Sequence, residues 1–219
     1  MKSLLQACAL LTTAVLASGC ATPPPPAHDY TAFRESRPVS ILVLPPLNET
    51  PEINATAGML AQMSAPLAES GYYVMPVALV SETFRQNGLD NAADIQQVSP
   101  ARLREIFGAD AALYTTVVQY GSRYTVIDSS VHVEAKARLV DLRTGALLWS
   151  GSAVAVSQNN NNGGGLIGML VSAAVNQVLN TLTDATYPIA GIASYRLLSA
   201  GQTNGLLHGP RSPHYEPQQ

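Results

Sequence analysis

Four histidines are the side chains of this chain best suited to acid–base or metal chemistry: His28, His132, His208 and His214. His132 and Glu134 lie two residues apart, on the same face of a predicted strand. Two such groups do not complete a zinc site, which needs three or four protein ligands. His208 and His214 lie near the C terminus, where they could bind a metal only weakly. We therefore predict no metal site.

The sequence also shows no recognisable set of residues for nucleophilic catalysis. Serines are plentiful, but no Gly-x-Ser-x-Gly elbow places one of them at a strand-to-helix turn. No pair of carboxylates stands out from the other charged side chains. Cys8 lies in a segment that we expect to be removed, and Cys20 has the fate described below, so no thiolate remains for catalysis, a disulfide or a metal. We predict that the protein is not an enzyme and has no cofactor.

Three glycines at 163–165 could cradle an anion at the start of a helix. They lack the lysine and hydroxyl of a P-loop and the spacing of a dinucleotide fingerprint, so a mobile hinge is the favoured interpretation. The helix predicted over residues 166–183 is apolar apart from one polar stripe. That excess of apolar surface predicts either core burial or an interface, with a second copy of the chain as one candidate partner. The candidate interface residues are Gly164, Gly168, Ser172, Asn176 and Asn180.

Cys20 follows three small residues at 17–19, which suit the groove of a signal peptidase. The apolar run over residues 4–16 is shorter than the roughly 20 residues needed to cross a bilayer. The pattern resembles the bacterial lipobox, although Ala17 stands where leucine is commonest. The resemblance implies cleavage between Gly19 and Cys20 and a diacylglycerol on the Cys20 thiol. An ordinary signal peptide with an incidental cysteine is the alternative.

The residues after Cys20 predict where the chain is anchored. Ala21 and Thr22 differ from the aspartate typical of inner-membrane retention, which favours the periplasmic face of the outer membrane. Several acyl chains together make a stable anchor. Residues 20–38 are predicted to form a lipidated tether, stiffened by four prolines at 23–26. A PxxP ligand is the alternative interpretation of those prolines.

The composition indicates one domain with tails. Hydrophobic residues make up 47% of the chain, which is enough for a core, and charged residues only 12%. The net charge of −3, without a basic stripe, argues against nucleic-acid binding. Because no disulfide is expected, the core alone must hold the fold.

The first half of the domain, which we place at residues 39–200, alternates strands and helices. Apolar runs predict strands at 39–44 and 72–75, and the pattern predicts helices at 57–70, 77–86 and 101–107. Gly71 and Gly108 are predicted to end the helices that precede them. This alternation predicts an α/β fold, with a mixed sheet flanked by helices.

The second half is predicted to be an antiparallel continuation of that sheet. A strand at 111–120 is followed by a strand at 131–139, where apolar and polar residues alternate. A turn at 141–145 leads into a strand at 147–156 that carries Trp149. Residues 187–198 are predicted to be a strand or a helix. Residues 201–219 are predicted to be a disordered tail.

Four stretches, in order, match a known family: SILVLPPLNET, PLAESGYYVMPVALV, FGADAALYTTVVQYGSRYTV and LVDLRTGALLWSG. They resemble a family of bacterial lipoproteins of unknown function that includes a neisserial vaccine candidate. Its fold is similar to the N-terminal domain of TolB, the periplasmic part of CsgG, and LpoB.

The resemblance implies a non-catalytic accessory of a secretion or envelope-assembly complex, with a CsgG-like lipoprotein as a candidate partner. Three alternatives remain open. They are an LpoB-like regulator of a peptidoglycan synthase, a hydrolase of an envelope polymer, and a structural antigen without a partner.

Overall fold

The computed structural model describes residues 27–124, 129–157 and 186–216. The described strands are β1 (Ser40–Val43), β2 (Leu47–Asn48), β3 (Tyr73–Val74), β4 (Ala111–Tyr124), β5 (Ser129–Asp141) and β6 (Leu147–Ser157). The described helices are α1 (Thr31–Ser36), α2 (Ala55–Glu69), α3 (Val77–Gln86), α4 (Ala92–Gln97), α5 (Pro100–Phe107) and α6 (Thr186–Leu198).

The strands form one mixed sheet in the order β3-β1-β4-β5-β6, and β2 also pairs with β4. The pairs β1–β3, β1–β4 and β2–β4 are parallel, whereas β4–β5 and β5–β6 are antiparallel. Parallel neighbours need crossover connections, which α2 and the α3–α5 segment supply, whereas the β5–β6 hairpin needs only a turn. The α/β class and the mixed sheet with flanking helices are confirmed.

Helices cover the two faces of the sheet unequally. On one face, α2 and α6 bury the apolar side chains of β1, β4, β5 and β6, with Trp149 as the largest of them. On the other face, Phe84, Ile95 and Leu103 of α3, α4 and α5 pack against Leu42 and Ala112. From β5 and β6, this second cluster includes only Val140. Most residues of these two strands on that face are therefore polar or exposed.

Local signals explain the helix boundaries. Ser99 accepts a hydrogen bond from Arg102 N at 3.4 Å, Pro100 occupies the first turn, and Gly108 ends α5 with φ +67°. Asn91 begins α4 in the same way by accepting from Asp94 N at 2.8 Å. The six-residue α4 is absent from the sequence prediction because it is too short to show a helical period.

The predictions for two segments, the N-terminal tether and the C-terminal tail, are wrong in part. The tether was expected to reach residue 38, but α1 lies within it and buries Phe33 in the main core. The tail was expected to start at Gly201, but residues 201–216 pack on the domain and bury Leu206. Backbone hydrogen bonds hold this C-terminal segment in place, from Gly209 N to Ser70 O at 2.8 Å and from Arg211 N to Gly71 O at 3.1 Å.

Candidate functional site

The first candidate surface is the β5–β6 half of the sheet, on the face opposite α2 and α6, where no helix among the described residues packs. It carries the polar side of β5, and in β6 it carries Ser150, Ser152, Val154 and Val156. These four residues and the four polar residues of β5 named below, eight residues in all, are called the wet face. Val154 is 45% and Val156 37% exposed. The β5 members are His132, Glu134, Lys136 and Arg138.

The register places the two basic side chains at one end of the wet face, and at the other end it places the two exposed valines opposite His132 and Glu134. Lys136 lies opposite Ser152, and Arg138 lies opposite Ser150 and stacks over the Tyr114 ring, 5.6 Å from its centroid. At the far end, His132 lies opposite Val156 and Glu134 opposite Val154. The alternation predicted for β5 is therefore confirmed, because Val133, Ala135, Ala137 and Leu139 are buried on the other face.

Strand β6 forms an edge of the sheet. In the described part of the chain it pairs with β5 alone. Arg196 of α6 reaches this edge and donates Nη1 to Val154 O at 2.7 Å. Natural sheets protect their edges with such charged side chains, because a free edge invites pairing with another strand.

A cavity of about 300 Å³ between α1 and the C-terminal segment is the second candidate site. We call it the α1 cavity. Its floor includes Phe33, Tyr30 and Tyr72, and its rim includes Arg34 and Arg37. The C-terminal segment supplies the opposite wall, including Asn204, Leu206, His208, His214 and Glu216.

Two tyrosines of the α1 cavity are fixed by their hydroxyls. Tyr30 Oη donates to Gly205 O and Tyr72 Oη donates to Leu207 O, each at 2.5 Å. Burial raises the pKa of both phenols above the ordinary value, that of Tyr72 strongly. Both groups therefore stay protonated as donors, and each ties the C-terminal segment to the body of the domain.

The histidines do not assemble a metal site. Ser130 Oγ lies 2.7 Å from His132 Nε2 at the end of β5. The rings of His208 and His214 lie 5.3 Å apart at the α1 cavity. Among the described residues, no group of three His, Cys, Asp or Glu side chains could hold a metal ion. His28, expected in a linker, lies against Tyr30 with ring centroids 4.7 Å apart.

The chain was compared with known proteins. The family model described as "Putative lipoprotein GNA1162-like" matches residues 28–211. A relative named "Putative lipoprotein NMB1124/NMB1162", from Neisseria meningitidis serogroup B, is 56% identical over 205 residues, which is 93% of this chain and 95% of the relative. The chain belongs to the GNA1162-like family.

Solved structures add a fold comparison. The crystal structure of lipoprotein GNA1162 from Neisseria meningitidis matches at 60% identity with a TM-score of 0.55, over 66% of this chain and 100% of that one. The NMR structure of Escherichia coli LpoB matches at 18% identity with a TM-score of 0.41, over 65% of this chain and 75% of LpoB. The first likeness agrees with the family and its fold. The second is too distant to support a functional argument.

The part that matches the GNA1162-like family contains every described strand and most of the α1 cavity, whereas Cys20 precedes it and His214 follows it. The residues predicted for lipid attachment and signal cleavage, Cys20 and Gly19, lie outside the described residues, as does the predicted interface of Gly164, Gly168, Ser172, Asn176 and Asn180.

Among the residues that the structure describes, no helix has the length and apolar content that crossing a bilayer requires.

Sequence reasoning missed the α1 cavity. Its walls come from two segments that composition assigned to a linker and a tail, and His28 N reaches Asn204 Oδ1 at 3.0 Å across 176 residues of sequence. The one available signal was the aromatic content of residues 30–33, which is unusual for a solvated tether.

Proposed function

We propose that this protein is a lipoprotein of the outer membrane, anchored through Cys20, that serves as a non-catalytic docking subunit of a secretion or envelope-assembly complex. A CsgG-like lipoprotein is the proposed partner. The observation that supports docking is the wet face together with the edge of β6. Val154 and Val156 are exposed there, beside the side of β6 that has no partner strand among the described residues. A strand added at such an edge gains main-chain hydrogen bonds along its length.

The register defines the chemistry of the partner strand. A segment paired beside β6 would place apolar side chains near Val154 and Val156, where exposed apolar surface gains most from burial. It would place acidic side chains beside Ser152 and Ser150, and the exposed Lys136 and Arg138 lie on the far side of those serines, on β5. Complementary charges of this kind fix register and speed association more than they add affinity.

The proposed anchor is supported by the small residues at 17–19 that precede Cys20. Six residues, 21–26, lie between the acylated Cys20 and Ala27, the first described residue. In a polyproline conformation, they would hold the domain roughly 20 Å from the lipid surface. The test is membrane fractionation: the wild type should sediment with the outer membrane, and Cys20→Ala should be lost from that fraction. If Cys20→Ala stays with the outer membrane, the anchor is wrong.

Photo-crosslinking in living cells tests the docking surface and the partner. A photoreactive residue at Ser152 or Val156 should give a heterologous adduct that mass spectrometry identifies. Leu79, which is 60% exposed on α3 on the helix-covered side, is the matched control and should give none. A CsgG-like protein in the adduct supports the secretion role, whereas a peptidoglycan synthase would replace that role by the LpoB-like alternative.

The same experiment tests the interface predicted from the sequence, with photoreactive residues at Asn176 and Asn180. Heterologous adducts from those positions alone would move the docking surface to the segment at 166–183. Self-adducts alone, from any position, would replace the accessory role by a homo-oligomer. No adduct from Ser152 or Val156 would contradict docking at the β6 edge.

A further inference from the structure

We propose that the α1 cavity binds a small ligand that carries a carboxylate or phosphate group on an aromatic or apolar body. This proposal is independent of the anchor and of docking at β6. It depends on three properties of the cavity: the backbone conformation of its wall, its unpaired positive charge, and its fixed aromatic floor.

The backbone of the cavity wall is unusual. Within the described residues, two non-glycine residues have a positive φ, Arg37 at +48° and Asn204 at +58°. Both line the α1 cavity. Left-handed backbone costs energy for most residues with a Cβ, less for asparagine than for arginine, and strained residues of this kind are concentrated at ligand clamps and other functional sites.

Arg37 is the more informative of the two. It ends α1, and its N–H donates to Phe33 O at 3.0 Å. Glycine is the usual residue at this helix position, because it adopts the left-handed conformation without steric cost. Ending α1 therefore does not require arginine. The side chain has a second structural contact, from Nε to Arg34 O at 3.3 Å, so its role in binding must be tested separately from its role in the fold.

The charge at the rim is positive. Neither Arg34 nor Arg37 forms an ion pair with a carboxylate within the part of the chain that the structure describes. Glu216 is the one carboxylate among the lining residues, so the lining itself carries one net positive charge when the histidines are neutral, and Asp29 lies outside the lining. The pKa of Asp29 is lowered mainly by hydrogen bonds from Thr31, with smaller contributions from the charges of His28 and Arg34.

Unpaired guanidinium groups above an aromatic floor define a ligand class. The arginine fork donates two parallel hydrogen bonds to a carboxylate or a phosphate. Tyr30, Phe33 and Tyr72 offer ring surface beneath it, and the two tyrosine hydroxyls are already committed to backbone carbonyls. A floor that is fixed before binding costs the ligand little reorganisation. The volume of about 300 Å³ is at the small end of ligand pockets, which favours a small molecule.

Fluorine NMR of the full chain in lipid nanodiscs tests the proposal without detergent. The probes are 4-fluorobenzoate, 4-fluorophenyl phosphate and the neutral 4-fluorobenzyl alcohol. We expect saturable line broadening for at least one of the two anions, with affinity at least about ten-fold higher than for the alcohol, since a charge-assisted hydrogen bond is lost with the alcohol. Equal binding of all three probes, or none, would overturn the proposal.

Arg37→Gly separates binding from folding, because glycine suits the backbone of residue 37 while removing the guanidinium. We expect this variant to unfold at the same or a higher urea concentration and to bind the anion about ten-fold more weakly. Arg34→Gln should also weaken binding. Arg102→Gln removes an exposed charge from α5 and should leave binding unchanged. If Arg37→Gly and Arg34→Gln both bind as the wild type does, the rim does not bind the anion.

Nanodisc composition distinguishes the two sources of an anionic group. If a phospholipid headgroup is the ligand, anionic nanodiscs should displace the bound probe and zwitterionic ones should not. If the ligand is a soluble molecule, the probe should bind equally in both. Displacement that persists in Arg37→Gly and Arg34→Gln would place the lipid contact elsewhere and would contradict a headgroup in the α1 cavity.

Discussion

Gly209 lies directly against the backbone of Gly71: a Cβ added to Gly209 would be 2.6 Å from both the carbonyl carbon and the carbonyl oxygen of Gly71. The obstructing atoms belong to the main chain, so no side-chain rotation can relieve the overlap. The contact joins the C-terminal segment to the end of α2, next to the hydrogen bond from Gly209 N to Ser70 O. The wall of the α1 cavity depends on this approach, because His208 adjoins Gly209.

Gly209→Ala should therefore lower the free energy of unfolding by about 2 kcal/mol, as overpacking does. Urea unfolding would measure it. Gly88→Ala is the control: Gly88 has φ +77°, but an added Cβ meets nothing within 4 Å, so it should cost only about 1 kcal/mol for backbone strain. Hydrogen exchange near residues 205–212 should speed up in Gly209→Ala alone. Unchanged exchange there would contradict the contact.

The contrast between β5 and the C-terminal segment shows what the sequence could predict. The alternation from Val131 to Leu139 is a local pattern, and it defined which side of β5 is buried. The boundaries of α5 followed from Ser99, Pro100 and Gly108, which are also local signals. Residues 201–216 have the composition of a disordered tail, yet they are ordered by contacts with residues more than a hundred positions away, such as Tyr72 to Leu207. No local pattern encodes those contacts.

A second close approach lies between α2 and β4. A Cβ on Gly58 would be 2.2 Å from Tyr120 Oη. Gly58→Ala should destabilise the protein by about 1–3 kcal/mol in the wild type. Tyr120→Phe lacks that oxygen, and the nearest ring atom to the added Cβ is then Cζ at 3.0 Å, which is still a tight contact. In that background the same change should therefore destabilise by less than in the wild type, by about 0–1 kcal/mol, since the helix propensity of alanine offsets part of the cost.

A double-mutant cycle measures this coupling and subtracts the cost of Tyr120→Phe itself. Gly191→Ala in α6 is the control. Its added Cβ would be 3.4 Å from the end of the Gln62 side chain, which is ordinary contact with a movable group. It should have the same effect in both backgrounds. A coupling free energy near zero between positions 58 and 120 would show that the two elements pack differently.

Thr115 offers a test of polar burial in the middle of β4. It is 1% exposed, and its Oγ1 has no hydrogen-bond partner among the described residues. Thr115→Val keeps the shape and removes the unpaired hydroxyl, so it should raise the free energy of unfolding by about 1 kcal/mol. Thr116→Val changes a partly exposed neighbour and should stay within about 0.5 kcal/mol of the wild type. A loss of stability in Thr115→Val would indicate that the hydroxyl has a partner.

Asp141 makes stability depend on pH. Burial raises the pKa of this carboxyl, but hydrogen bonds from Ser36, Thr144 and Arg143 outweigh it and hold the pKa below the ordinary 3.8. A lowered pKa in the folded state stabilises the fold above pH 3.8, and this contribution is lost as the pH falls through the folded-state value. Between pH 5 and pH 2, the wild type should therefore lose more stability than Asp141→Asn. Asp90→Asn removes an exposed carboxylate before α4 and controls for the loss of one negative charge.

Arg196 should control access to the β6 edge. Its Nη1 donates to Val154 O at 2.7 Å, so an added strand would compete with it for that oxygen. Arg196→Ala removes the competitor, and the yield of the heterologous crosslink from Ser152 should rise by up to about five-fold, as expected for a bond of about 1 kcal/mol. Arg85→Ala on α3 removes an equal charge far from the edge and should not change the yield. A lower yield in Arg196→Ala would mean that the partner binds the guanidinium itself, and docking would then involve α6 as well as β6.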